Sequence, residues 1–136
     1  MKTKKLLSII LLLILSFNIV SLPILADDIM PRWQNIFSVT INHGLDDSTA
    51  CCYVRVKAYS GTDKIDNIDI NLYQMVGSAL ILVASWNDLS TTGDEFTFYD
   101  EVSDVVGGYT YRLAITADVH RYGYVEQLDT YGDVAY

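Results

Sequence analysis

GGYTYRLAITADVH, Gly107 to His120, sets two glycines ahead of a strict alternation. Tyr109, Tyr111, Leu113, Ile115, Ala117 and Val119 fall at every second position, with Thr110, Arg112, Ala114, Thr116, Asp118 and His120 between them. Successive side chains of an extended strand point to opposite faces, so this pattern predicts a strand with the first set toward a core and the second toward solvent. The apolar register is long enough to cross a sandwich, and glycine followed by tyrosine is how a central strand of an immunoglobulin-like fold begins.

Reading outward from it, Arg121-Tyr122-Gly123 turns the chain into a final edge strand, Tyr124 to Thr130, and Phe96 to Val102 makes a short strand on the other side. Ala79 to Trp86 (ALILVASW) is apolar at nearly every position. That suits a strand buried on both faces, or one whose outer face is covered by a neighbour or a partner. Asn87 to Glu95 after it is expected as a polar loop, and Val76-Gly77-Ser78 before it as a tight connection to a strand over Ile65 to Met75, with Ile68, Ile70 and Leu72 inward.

Upstream of the Ser60 to Lys64 turn, Thr49 to Tyr59 alternates again, with Ala50, Cys52, Val54, Val56 and Ala58 inward and Cys51, Tyr53, Arg55, Lys57 and Tyr59 outward. The first strand, Asn35 to Asn42, puts Phe37, Val39 and Ile41 on one side, and His43 to Ser48 is expected as the turn that ends it. Trp33 is placed against the edge of the sandwich. With no stretch of helical periodicity, these segments predict an all-β fold: a single antiparallel β-sandwich of about seven strands, immunoglobulin-like, with a small β-barrel as the alternative.

The N-terminus is of another kind. Three lysines in Met1 to Lys5, an aliphatic run from Leu6 to Val20, a break at Pro23 and a small residue at Ala26 ahead of two aspartates form the pattern of a signal peptide, residues 1–26, followed by the sandwich domain over 27–136. Asn18, Ser21 and Pro23 argue against an uncleaved membrane anchor. The expected product is secreted and extracellular, and the C-terminus DTYGDVAY offers neither a second apolar segment nor a basic tail to retain it.

Cleavage there leaves six basic against seventeen acidic residues, a net charge of −11. So acidic a surface excludes nucleic acid, which is bound by releasing counterions to a basic face, and disfavours anionic membranes once the signal is removed.

The chemistry-bearing residues give little support to catalysis. Cys51 and Cys52 are adjacent and therefore point to opposite faces of a strand, so they cannot clamp two sheets as an antibody disulfide does. The simplest reading is a core thiol beside a surface thiol; an intermolecular or a vicinal bridge at Cys51 stays open. His43 and His120 fall in or beside predicted turns with no metal-ligand spacing and are expected to be solvated. Asp63, Asp66, Asn67, Asp69 and Asn71 are rich in oxygen, but alternation with Ile68 and Ile70 explains most of them as a solvated strand face. Carboxylate pairs for glycoside hydrolysis occur in any acidic chain, and Gly77-Ser78 lacks the nucleophile-elbow pattern. No enzyme activity, metal or cofactor is expected.

Ten tyrosines are the unusual count. Tyr53, Arg55, Lys57 and Tyr59 on the outer side of the second strand, together with Arg112, are the candidate binding residues, because tyrosine and arginine combine contact area with polar tips. The alternative is that they merely stabilise a sheet through cross-strand pairs.

Pro31-Arg32-Trp33, a cysteine in the second strand, Ser85-Trp86, Gly108-Tyr109-Thr110-Tyr111-Arg112, and Gly123 with Glu126 together resemble a group of short secreted proteins of unknown function from clostridia and other Firmicutes. The doubled cysteine and the stronger acidity depart from that group. The resemblance implies a secreted bacterial sandwich and brings no catalytic residues with it. The expected role is an extracellular module that binds a protein or a glycan, with a toxin-like or bacteriocin-like effector as the alternative and a hydrolase behind both.

Overall fold

The computed structural model describes residues 33–136; the expected signal peptide lies outside the described residues. Seven strands follow one another: β1 (Ile36–Asp46), β2 (Thr49–Ala58), β3 (Thr62–Val76), β4 (Ala79–Thr92), β5 (Glu95–Val102), β6 (Thr110–Arg121) and β7 (Tyr124–Ala135). They form two antiparallel sheets, β1-β2-β5 and β4-β3-β6-β7, which sandwich the core. This is the immunoglobulin-like arrangement with the fourth strand carried on the second sheet. No ladder joins β1 to β7 or β4 to β5 among the described residues, so the sheets do not close into the alternative barrel.

Alternation produces the core. Ala50, Cys52, Val54, Val56 and Ala58 of β2 face Ile65, Ile68, Ile70 and Leu72 of β3 and Leu113, Ile115, Ala117 and Val119 of β6, all buried. Tyr111 is buried with them, and its hydroxyl donates to the Val106 carbonyl at 2.6 Å, five residues upstream. A tyrosine at the start of the sixth strand that reaches back to the preceding corner is the tyrosine corner of immunoglobulin-like sandwiches, and Leu113, two residues on, takes the place of the antibody cysteine. The Tyr111 ring also stacks on Tyr136, with centroids 4.3 Å apart and planes 16° from parallel.

Both open sides of the sandwich are spanned by a hydrogen-bonded ring. On the β1/β7 side, His43 of β1 meets the Gly132 carbonyl at 2.8 Å and the Tyr136 hydroxyl at 2.7 Å. Gly132 lets β7 come this close, since a β-carbon there would lie 3.2 Å from the Ile41 side chain. On the β4/β5 side, the Trp86 indole packs against Phe98 at 5.0 Å and donates to Asp100 at 2.7 Å.

Several expectations change. The bulge between Ile36 and Ser38 turns Ile36 inward and leaves Phe37 64% exposed, the reverse of the expected register at the start of β1. His43 is inside β1, whose turn is only Asp47 and Ser48. β3 begins at Thr62, earlier than the expected Ile65, because Thr62 and Lys64 already pair with β6, and Asn67, at φ 47°, is the extra residue that lets Ile65 and Ile68 both face inward, three positions apart. Tyr109 is exposed because it precedes the first paired residue of β6. β4 is a sheet edge and is not buried on both faces; it runs on through the expected Asn87 to Glu95 loop as far as Thr92, and β7 continues past Thr130 to Ala135.

Two substitutions test this register. Leu113→Asp puts a carboxylate in a fully buried position and is expected to prevent folding; a soluble product with a cooperative melt contradicts the assignment. Tyr111→Phe keeps the ring and removes the corner hydrogen bond, with an expected loss of about 1–2 kcal/mol in denaturant titration.

Candidate functional site

Tyr53, Arg55 and Lys57 do share a surface. They lie in successive rows on the outer face of β2, beside Asn42, Thr40 and Ser38 of β1 and Tyr99, Thr97 and Glu95 of β5. Arg55 is occupied there: its Nη2 sits 2.7 Å from Glu95 Oε1, and its Nε donates to the same oxygen at 2.8 Å. Tyr99 donates to Glu101 at 2.6 Å, and that carboxylate raises the phenol pKa.

Arg112 is not part of this surface. It projects from β6 on the outer face of the other sheet, where its guanidinium lies 3.6 Å over the Tyr131 ring and holds Asp133 through two bonds of 2.7 and 2.8 Å. Such a bidentate, stacked arginine is a cross-strand staple.

Tyr59 belongs to a third surface, at one end of the sandwich. It directly follows β2, and its ring meets Phe37 edge-on at 5.6 Å. Arg121 donates from Nε to the Ser60 carbonyl at 3.1 Å, which holds its guanidinium 5.5 Å from the Tyr59 ring and 4.8 Å from Tyr122. These are cation–π distances. Tyr122 occupies the left-handed region, φ 51°, in the β6–β7 turn, and its ring tip lies over Gly61, whose own φ of 88° also favours glycine.

Beside this cluster runs an open groove of about 900 Å³, lined by Gln34, Asn35, Arg121, Tyr122, Tyr124, Val125, Glu126 and Gln127. Its polar groups already hold the fold together. Glu126 accepts from the Gln34 amide at 2.8 Å and the Asn35 amide at 2.5 Å, and Asn35 donates its side-chain nitrogen to Val119 at 3.5 Å. The rim is apolar and open, with Tyr122 69% and Tyr124 76% exposed. The groove therefore presents exposed rings at an open rim above polar groups that are already paired.

The cluster was hidden in the sequence because Arg121-Tyr122-Gly123 reads as a turn and Phe37 reads as core. An aromatic placed in a two-residue hairpin turn, where small polar residues serve better, is the signal that marks it.

The other chemistry-bearing residues are engaged structurally. His120 lies 2.7 Å from Asp66, which also pairs with Lys64; hydrogen bonding from Lys64, then from His120, lowers the Asp66 pKa. Asp69 accepts from the Asp88 amide, Asn67 donates to Asp118, and Asn71 accepts from Ser85. Among the described residues no group of three His, Cys, Asp or Glu side chains converges as a metal site. Cys51 and Cys52 are unbridged, and burial pushes the Cys52 thiol up to about 12.

No protein-family model and no curated protein matches the chain. Among solved structures, the sporulation control protein Spo0M from Bacillus subtilis is similar at 15% identity with a TM-score of 0.39, over 73% of this chain and 50% of that one. The chain spans about half the length of that protein.

His43 was expected to be solvated but is half-buried in the β1/β7 clasp, and burial lowers its pKa from 6.5 against smaller opposing effects of the Gly132 carbonyl and Asp133. The neutral ring donates from Nε2 to Gly132 and accepts from Tyr136 at Nδ1. Between the lowered pKa and 6.5 the unfolded chain takes up a proton that the folded one does not, so stability falls as the pH drops through about 6.5. The Asp66 and Asp133 carboxyls, whose pKa values are also lowered, add their losses only below about 4. Urea titrations at pH 7.5 and 5.5 should show this decline, and His43→Gln should flatten it; an unchanged slope contradicts the buried neutral ring.

Proposed function

We propose that the protein is a secreted, non-catalytic binding module that docks an extracellular protein or glycan on the aromatic end of its sandwich. The observation that carries this is a set of exposed rings at one end of the sandwich: Tyr59 and Tyr122 flank Arg121, Phe37 packs on Tyr59, and Tyr122 and Tyr124 line the groove with Arg121. Rings with polar tips and an arginine supply large contact areas from side chains with little rotamer freedom to lose. Arg121 is held in place by Ser60 before any partner arrives, which lowers the ordering cost of binding.

The competing explanation, that the rings serve only stability, accounts for Phe37 and Tyr59, which pack on each other. It does not account for Tyr124, the most exposed large apolar side chain described, which makes no ring–ring or ring–guanidinium contact with the described residues. The row Tyr53, Arg55 and Lys57 forms a separate surface along β2, and Arg112 stays outside both. Release from the cell rests on the pattern of residues 1–26, and the net charge of −11 after its removal turns the module away from nucleic acid and anionic lipid.

The test is binding to arrays of extracellular glycans and of surface proteins, with two double variants. Tyr122→Ala with Tyr124→Ala should weaken capture by about tenfold or more, the effect of losing central aromatic anchors, while keeping a cooperative melt that is lowered only slightly by loss of the Tyr122 contact with Arg121. Loss on Tyr53→Ala with Arg55→Ala alone would move the contact to the β2 face, and turnover of any array component would contradict a non-catalytic module.

A further inference from the structure

β4 departs from the rest of an acidic molecule. From Met75 to Trp86 there is no charged residue, and Leu80, Ile81 and Leu82 are 45%, 49% and 55% exposed on a strand that pairs only with β3. Leu80 and Leu82 stand opposite Met75 and Tyr73 on one face, and Ile81 stands opposite Gln74 on the other. All three are open although they lie on both faces, so this end of the β3–β4 hairpin stands clear of the other sheet.

The remaining edges are blunted. β5 carries Glu95, Asp100 and Glu101, β7 carries Glu126, Asp129 and Asp133, and β1 is bulged at Ile36 and tied to β7 by His43. Charges and bulges of this kind keep edges from pairing, and an uncharged apolar edge invites it.

We propose that a second copy of this chain covers β4, the two β4 strands pairing antiparallel about a two-fold axis through Ile81. Such an axis must stand perpendicular to the sheet, so an outward residue meets an outward residue and the register centres on a residue. With Ile81 opposite itself, Leu80 of each copy faces Leu82 of the other and Ala79 faces Val83. The exposed trio is thus self-complementary, and no like charges oppose one another along Val76 to Trp86.

The regular pairing is short, because the register shift at Val83 limits it, so the interface is at the small, reversible end of the range. Both copies carry the same negative charge away from the strip. Salt should therefore strengthen this association by screening, whereas it would weaken the capture of a basic extended peptide on the same edge.

The experiment is sedimentation equilibrium on the chain from Asp27 onward, from micromolar concentration to about 1 mM, at low and at roughly 0.3 M salt. A reversible dimer that tightens with salt is expected, and Ile81→Lys should abolish it with an unchanged circular dichroism spectrum. In a Cys51→Ser background, Ile81→Cys should cross-link to itself under mild oxidation faster than Leu80→Cys, since opposed α-carbons on antiparallel strands lie within disulfide reach. A monomer at every concentration, a dimer that survives Ile81→Lys, equal cross-linking at the two positions, or pairing only with an added peptide would each overturn the proposal. Should Ile81→Lys fail to fold, the relative cross-linking rates still decide it.

Discussion

β6 lies between β3 and β7, and its buried side chains Tyr111, Leu113, Ile115, Ala117 and Val119 form much of the core of the second sheet. A slip of one residue would send Arg112, Asp118 and His120 into the core, which is why its register is so strongly determined. The Tyr111 hydroxyl on the Val106 carbonyl pins the start of the strand to the corner before it. From that point the other contacts follow in turn: Tyr136 stacks on Tyr111, His43 reaches Tyr136 and Gly132, and the first sheet is thereby tied to the second along one open side.

The surfaces proposed for binding and for self-association lie where these constraints end. At one end, Glu126 binds the chain before β1 and Arg121 is set among rings that the core does not use. At the β4 edge, the Trp86 clasp holds the strand near its middle while the residues ahead of it protrude. Rigid elements thus present two exposed apolar features, one ringed by aromatic side chains and one aliphatic, both outside the buried core.

Much of this was legible because alternation is a local property. The inward residues of β2, and those of β6 from Tyr111 onward, could be read directly from their period, and with them the sandwich itself. A bulge defeated the same reasoning at Phe37, since an inserted residue reverses the assignments on one side of it without a mark in composition, and the bulge at Asn67 hid that Ile65 also faces inward, although Ile68, Ile70 and Leu72 were read correctly. ALILVASW was ambiguous for another reason: hydrophobicity reports that a segment avoids water but not what covers it. The candidate binding residues were only partly brought together, because an outward position on β2 and one on β6 look alike in sequence yet lie on opposite faces of the sandwich. Tyr122 was masked by its place in a turn.

Native-state hydrogen exchange tests the central claim, that the corner and register of β6 hold the fold. The account predicts that the β6 amides of Leu113 and Ile115 and their β3 neighbours Ile70 and Leu72 exchange only through global unfolding, and that Tyr111→Phe lowers their protection by the same free energy it removes from the whole domain. Protection centred on β2 and β5, with β6 opening independently at lower free energy, would contradict it.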